Sequence, residues 1–272
     1  MTEISDFFKE ENIEYYSVLG YSDCRVIRAD IMARESFTPR SVTVFLVPYY
    51  TGDGKNLSSY AVSKDYHIIA GGIVERLAAR VKQLFPTASL KGYVDSSPID
   101  ERHAAALSGL GILGESGLLI NEKYGSYVFI AELITDIEPI ALGAVTPCAP
   151  RECEGCGRCA RACPTGRISD KTIPCLSEIT QKKGELSESE EQLILRVGTA
   201  WGCDECQRVC PHNANAEKTP IDAFYDSRIE NLTLDGVEKM DKHAFSERAF
   251  SWRGRKTVER NLKILEKSKN KR

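Results

Sequence analysis

The chain has 272 residues, enough for one large domain or two ordinary ones, with 42% hydrophobic and 28% charged residues, the balance of a globular protein. No apolar run approaches the length of a membrane span, and the acidic stretch from Met1 to Tyr16 lacks an apolar signal core, so neither membrane nor export is expected and a cytoplasmic protein is. A net charge of −3 gives no overall basic field for nucleic acid.

Met1 to Tyr16 reads as a short helix leading into Leu19-Gly20. Val42 to Tyr49 is a continuous apolar, β-rich run closed by Pro48, the pattern of a buried strand. A polar loop from Thr51 to Ser59 follows. From Lys64 to Phe85 the period becomes helical: Ile69, Ile73, Leu77 and Val81 recur at four-residue spacing, and Pro86 ends the run. Gly71-Gly72 inside it suits close approach by something flat. Leu90 to Asp95 is a second strand, ended by Ser96-Ser97-Pro98, and Glu101 to Leu110 is a short Ala-rich helix. Gly109, Gly111, Gly114 and Gly117 then punctuate a turn, and Leu118 to Ile120 and Tyr127 to Ile134 read as a strand pair. Strands mixed with helices make residues up to about Ile140 an α/β domain. It shows no G-x-G-x-x-G after a strand and no P-loop. Beyond it come cysteine-rich loops, a helix from Ser187 to Val197, and charged helices beginning near Asp241 and Thr257. From Ser251 to Arg272 nine Lys/Arg stand against two Glu, a local charge of +7. Such an end can hold a phosphate backbone, while the plainer reading is a solvated, fraying terminus.

Seven of the ten cysteines fall in two tight groups, which without an export signal points to metal rather than disulfides. Cys153-Glu-Gly-Cys156-Gly-Arg-Cys159-Ala-Arg-Ala-Cys163-Pro164 has the C-x2-C-x2-C-x3-C-P spacing of bacterial ferredoxins. Three thiolates two residues apart let one loop wrap three irons of a cubane, and Gly155 and Gly157 permit the tight wrap. The fourth cysteine opens a turn pointing away, so it reaches the other cluster. Cys203-Asp-Glu-Cys206-Gln-Arg-Val-Cys210-Pro211 repeats the ending with one cysteine fewer. Two cubanes need eight thiolates and the motifs supply seven, so Cys24, Cys148 or Cys175 completes the set. Cys175 lies between the motifs and needs the least chain to order. Cys148, close before Cys153, is the alternative, and Cys24 reads as a buried small side chain. The expected wiring is Cys153, Cys156, Cys159 and Cys210 on one cluster, with Cys163, Cys175, Cys203 and Cys206 on the other. Zinc also uses paired C-x2-C motifs, but it needs neither the third cysteine at that spacing nor the Cys-Pro found twice here. Two 4Fe–4S clusters, and hence electron transfer, are expected.

Ahead of this segment stand, in order, Tyr60-Ala-Val-Ser-Lys-Asp-Tyr-His67, Asp95-Ser-Ser-Pro98, Gly109-Leu-Gly-Ile-Leu-Gly114 and Gly125-Ser-Tyr-Val-Phe-Ile-Ala-Glu-Leu133. Joined to the two cysteine motifs, this set resembles the epoxyqueuosine reductase family, in a short form without the family's C-terminal helical-repeat domain. That family is related to the cobalamin-dependent reductive dehalogenases. The matching stretch runs from about Val42 to Ala214, and more weakly through Glu259-Arg-Asn-Leu262.

The resemblance implies an α/β (α+β) cobalamin and substrate domain at 1–145, a ferredoxin-like double 4Fe–4S domain at 146–222, and a helical, basic segment at 223–272. It implies clusters delivering electrons to cobalamin, which would reduce an epoxide on the modified base queuosine of tRNA, with a donor such as a flavodoxin or ferredoxin. Asp95 matches the family's proposed proton donor, a group the chemistry needs because an opened epoxide leaves an alkoxide. A carboxyl in that role is partly desolvated to keep its proton. Read from the residues alone, Asp95 is a turn residue before Ser-Ser-Pro. Tyr66 and His67 match a family segment near cobalamin and substrate, or else simply begin a helix. Ser96, Gly109 and Gly111 are the further expected cofactor contacts, and the resemblance also makes Cys175 a cluster ligand. Where the family usually carries Trp-Ile-Gly-Lys, this chain has Ile112-Leu-Gly-Glu115, an acidic end that disfavours a phosphate nearby. Two other functions use the same residues: the same architecture acting on another small reducible substrate, or a two-cluster electron carrier serving a partner protein.

Overall fold

A computed structural model describes residues 2–269, with side chains from Ile4 to Lys267. Met1 of the expected first helix, and Lys271 and Arg272 of the basic end, lie outside the described residues. The chain divides into two compact units, Met1–Pro48 with Ile69–Gly155, and Tyr49–Ile68 with Cys156–Arg272. No helix among the described residues is long and apolar enough to cross a membrane.

In chain order the first ten elements are α1 (Thr2–Glu10), β1 (Tyr16–Gly20), α2 (Ala29–Met32), β2 (Ser41–Pro48), α3 (Tyr66–Leu84), β3 (Leu90–Val94), α4 (Glu101–Leu107), β4 (Ile112–Leu113), β5 (Leu119–Ile120) and β6 (Val128–Thr135). The first unit is built on a sheet of order β1-β2-β6-β3 in which every pair is antiparallel. The domain therefore takes the α+β form, and the rule that puts ligands at the carboxyl ends of parallel strands does not reach β3. Alternation along the strands sets the faces. On one face Phe45 meets Phe8 of α1 at 5.3 Å between ring centroids. Gly92 lies on the same face, and a Cβ there would stand 2.0 Å from Cγ1 of Val74, so only a hydrogen lets α3 close on β3. The opposite face carries Val42, Val44, Leu46, Ile130 and Ile134 against Ala104 to Ala106 of α4. Glu132 is in register with Val44 on β2 and Tyr93 on β3, and it is only 1% exposed on that apolar face.

Tyr16 does not end a helix: it opens β1 and pairs with Phe45, a register fixed by tertiary contact. Leu118 to Ile120 does not pair with Tyr127 to Ile134. Gly114 donates its N–H to Leu118 O at 2.9 Å, turning the chain back so that β5 pairs with β4, while β6 lies between β2 and β3.

The second unit is helical: α5 (Arg158–Ala162), α6 (Leu176–Gln181), α7 (Glu188–Val197), α8 (Glu205–Arg208), α9 (Leu234–Lys239), α10 (Lys242–Ser246) and α11 (Arg255–Lys269). α7 starts at a capping box, with Glu190 N donating to Ser187 Oγ at 3.3 Å and Ser187 N to Glu190 Oε2 at 2.8 Å. Trp201 and Phe250 centre a core with Leu57, Val62, Val258 and Leu262, and Ile264 packs with Leu176, Ile179 and Ile194. From Ser251 to Lys267 the basic end is thus not a fraying terminus, because one face of α11 is buried. Arg255 donates to the Val237 and Met240 carbonyls, and Arg260 to those of Lys182 and Gly184.

Candidate functional site

The second cysteine set lies within one unit. Cys163 follows α5, Cys175 precedes α6 at its N-cap, Cys203 comes just before α8 and Cys206 lies on it. α5 and α8, one from each motif, pack on each other. The thiols sense one another. Burial pushes Cys206 up to about 12, and Cys203, Cys175 and Cys163 add to the rise. Burial, then Cys175 among its neighbours, takes Cys203 to about 12, and Cys175 is raised by burial with Cys163 contributing. At Cys163 burial also acts upward, but the amides of Ile168, Thr165 and Gly166 and the Thr165 hydroxyl outweigh it and lower the thiol. Thiols held this close are a donor set that cationic iron would hold as thiolates. Among the described residues no three Cys, His, Asp or Glu side chains are drawn in far enough to hold one single ion. Between Cys203 and Cys206 the buried Asp204 accepts from the Ser58 hydroxyl and from Ser59 N–H at 2.6 Å, which anchors the ligand loop.

The other motif begins at Cys153, whose sulfur accepts from Glu115 N–H at 3.3 Å. The strip before it is stitched to β4, with Leu113 N donating to Arg151 O at 2.8 Å and Cys153 N to Leu113 O at 2.9 Å. Gly155 and Gly157 take φ of 62° and 68°, the left-handed turns a loop wrapping a cluster needs. Cys159 lies on α5 and Cys210 follows α8. Cys148 is exposed and donates to Ala106 O, whereas Cys24 is buried, donates to Gly20 O and is pushed up to about 12 by burial.

Asp95 stands immediately after β3. Asp95 and Ser96 have φ of 63° and 48°, a strained consecutive pair for L-residues. Ser97 is buried and its hydroxyl donates to Glu132 Oε2. Pro98 O accepts from the N–H groups of Ile27 and Arg28, both at 2.9 Å. Beside this turn Val26 and Ile27 are 43% and 54% exposed. Asp100 caps α4 by accepting from His103 N at 3.3 Å. Asp95 itself is exposed, so the desolvation expected of a proton donor lies beneath it instead. Burial first, then the charge of Asp95, raises Glu101 to about 7. Burial takes Glu132 to about 8 against the opposing Ser97 hydrogen bond, with Glu101 and Asp100 adding to the rise.

Tyr66 and His67 begin α3, with ring centroids 4.1 Å apart, and both lie in the second unit. His67 Nδ1 lies 2.9 Å from Asp65 Oδ1 and the ring is largely exposed. Gly109 follows α4 with φ of 77°, and a Cβ on it would meet nothing within 4 Å. At Gly111 a Cβ would come within 2.6 Å of Ile120 O, so packing of the β4–β5 hairpin already requires glycine there.

Residues 152–213 match the 4Fe-4S double cluster binding domain family. An epoxyqueuosine reductase of Listeria monocytogenes is 33% identical over 74% of this chain, which spans 54% of that protein's length. One of Leadbetterella byssophila is 32% identical over 76% of this chain and 69% of its own. The chain belongs to the epoxyqueuosine reductase family. A solved epoxyqueuosine reductase bound to a tRNA-Tyr epoxyqueuosine-modified stem loop superposes on 97% of this chain and 80% of its own, with a TM-score of 0.75 at 21% identity. The chain spans little more than half the length of curated family relatives such as the Listeria protein. Sequence reasoning missed Glu101 and Glu132, the raised carboxyls near the Asp95 turn. The signal at Glu132 was one acidic residue inside the apolar run from Val128 to Ile134.

Proposed function

We propose that this chain is a cobalamin-dependent iron–sulfur reductase that reduces epoxyqueuosine to queuosine in tRNA. One observation carries the reading: family identity extends over 76% of the chain, well past the 152–213 cluster segment. An electron carrier would need only the cysteines, whereas here the likeness reaches well beyond them. The relative that binds a modified tRNA stem loop supports tRNA as the substrate, and a tRNA enzyme belongs in the cytoplasm.

In this reading residues 146–222 hold two clusters, fed by a donor such as a flavodoxin or ferredoxin. Cys163, Cys175, Cys203 and Cys206 bind one cluster, a wiring supported by their mutual proximity. Cys153, Cys156, Cys159 and Cys210 bind the other, supported by spacing. Residues 1–145 take cobalamin and substrate, and the helical segment 223–272 supplies basic charge. The exposed apolar Val26 and Ile27 beside the Asp95 turn, and the open space over Gly109, fit a large ring with apolar edges. Ser96, Gly109, Tyr66 and His67 would hold it; Gly111 would act through the hairpin it allows. Bound cobalamin would supply a low-valent cobalt that opens the epoxide C–O bond. Asp95 then gives its proton to the alkoxide oxygen. The strained turn keeps this carboxyl at the surface, where a bulky tRNA base can meet it.

The test is anaerobic purification with cobalamin present, followed by an absorbance spectrum, metal analysis and turnover of epoxyqueuosine in tRNA. Cobalamin retained through gel filtration with turnover is expected. Cobalamin retained without turnover moves the claim to another reducible substrate, and clusters without cobalamin return the electron-carrier function.

A further inference from the structure

The face of the sheet under α4 is apolar on the two central strands except at Glu132, with Ser17 and Lys91 on the edge strands. Val42, Val44, Leu46, Ile130 and Ile134 are all buried there, and Glu132 sits among them at 1% exposure. A carboxyl in that position is costly unless it is neutral or fully paired. Only one of its oxygens is bonded: Oε2 accepts from Ser97, while Oε1 is buried without a hydrogen-bond partner. Lys91, two residues from Tyr93 on the same face of β3, is half exposed and turned to Glu35 at 3.8 Å, and the other groups that face Glu132 add no positive charge. They are Tyr93 on β3, Tyr21 and Cys24 after β1, and Asp100 and Glu101 at the start of α4. Such a residue is a poor choice for stability, and its single bond goes to the third residue of the strained Asp95–Ser96–Ser97 turn.

We propose that Glu132 is a positioning residue which, as a neutral acid bonded to Ser97, pins the strained turn that presents Asp95. Two consecutive left-handed residues persist only where their surroundings over-determine them. The carbonyl of Pro98 ties down the far side of the turn through Ile27 and Arg28, and the Ser97–Glu132 bond ties down its inner side. Ionising Glu132 would put an anion with one bare oxygen beside Glu101 and Asp100, which favours water entering and the turn letting go. The inference rests on Asp95 as proton donor for its catalytic consequence, but the pinning itself does not.

The experiment uses anaerobically reconstituted protein with both clusters and cobalamin, as wild type, Ser97→Ala, Glu132→Ala, Glu132→Gln and the Ser97→Ala/Glu132→Ala double variant. Hydrogen exchange of the 95–98 backbone reports the pinning. Single-turnover reduction of epoxyqueuosine tRNA, followed from pH 6 to 9, reports its consequence. Faster exchange at 95–98 is expected in both alanine variants, and the double variant should exchange no faster than Ser97→Ala, which severs the Glu132 bond together with the Ile99 N–H bond to the same hydroxyl at 3.3 Å. Their rates should fall roughly tenfold to a hundredfold, the scale of a misplaced catalytic group. Glu132→Gln can still accept from Ser97 and should recover part of the loss. Its rate relative to wild type should rise as pH passes about 8, where only wild type ionises. Unchanged exchange in the alanine variants overturns the pinning, even if Glu132→Ala alone fails to fold, since Ser97→Ala tests the same bond. Faster exchange with wild-type rates, while Asp95→Asn is slow, overturns the positioning role. Wild-type rates in Asp95→Asn itself overturn the proton-donor reading and the catalytic half of this inference with it, and exchange still decides the pinning.

Discussion

In the proposed reaction an acid must give a proton to an alkoxide when the epoxide opens, and Asp95 is the carboxyl placed for it. Asp95 is exposed, where substrate can reach it, and Glu101 beneath it is raised to about 7 by burial and by the charge of Asp95. Asp95→Asn keeps the shape of the turn but has no proton to give. It should fold, bind clusters and cobalamin, and lose about a hundredfold or more in single-turnover rate, the usual scale for a general acid. A near wild-type rate would return Asp95 to a plain turn residue. Glu101 makes a separate prediction. Its folded value of about 7 lies above its ordinary 4.5, so the folded protein keeps a proton that the unfolded chain gives up. That contribution to stability is complete below about 4.5 and is lost as pH rises to about 7. Thermal unfolding should therefore fall less steeply between pH 5 and 7 in Glu101→Gln than in wild type. Equal slopes would mean that Glu101 is not the buried acid described.

At the scale of elements, what could be read from sequence was what periodicity and caps decide locally. β2 is a continuous apolar run, α3 keeps a four-residue apolar spacing over its length, and α7 opens on a Ser-x-x-Glu box, so each was legible. β1 and the β4–β5 hairpin were not, because five-residue and two-residue strands take their identity from partners distant in sequence. The antiparallel order of the sheet lay beyond any local pattern for the same reason. Glu132 was written in the sequence, but its meaning needed the register that sets it opposite Val44 and Tyr93 and within reach of Ser97. The cysteine motifs were the most legible part, since spacing alone fixes how a loop can wrap a cubane. The eighth ligand was the open choice there, and it yields a prediction. Cys175, at the N-cap of α6, is in reach of Cys163, Cys203 and Cys206, whereas the Cys148 sulfur rests on the Ala106 carbonyl. Reconstituted wild type should bind about eight irons and eight sulfides, Cys148→Ser the same, and Cys175→Ser about half with one cluster spared. Full iron content in Cys175→Ser, with a deficit in Cys148→Ser, would reverse the wiring.

For the molecule as a whole the proposed tRNA substrate raises the question of how a chain of net charge −3 would hold a polyanion. Overall charge cannot do it, so any hold on tRNA falls to local positive surface. α11 offers a dense run of cations, yet its arginines and lysines differ in use. Arg255 and Arg260 are tied to backbone carbonyls and serve the fold, and Arg253, just before the helix, lies 3.7 Å over the Trp252 ring. Lys256, Lys263 and Lys267 are exposed on the face of α11 away from Val258, Leu262 and Ile264. A phosphate backbone laid along this helix would meet those three lysines. Replacing all three with Gln should leave thermal unfolding, iron content and cobalamin binding intact, because none of them is buried. Affinity for the tRNA stem loop should fall. More tellingly, the slope of log K against log salt should shrink by about 0.7 to 0.9 for each phosphate that is no longer neutralised. Arg255→Gln should do the opposite, lowering the unfolding temperature because the Val237 and Met240 carbonyls lose their donor, while leaving the salt slope unchanged. An unchanged slope in the triple lysine variant would mean that the tRNA lies on another face and that the charge of α11 serves only to keep the helix solvated.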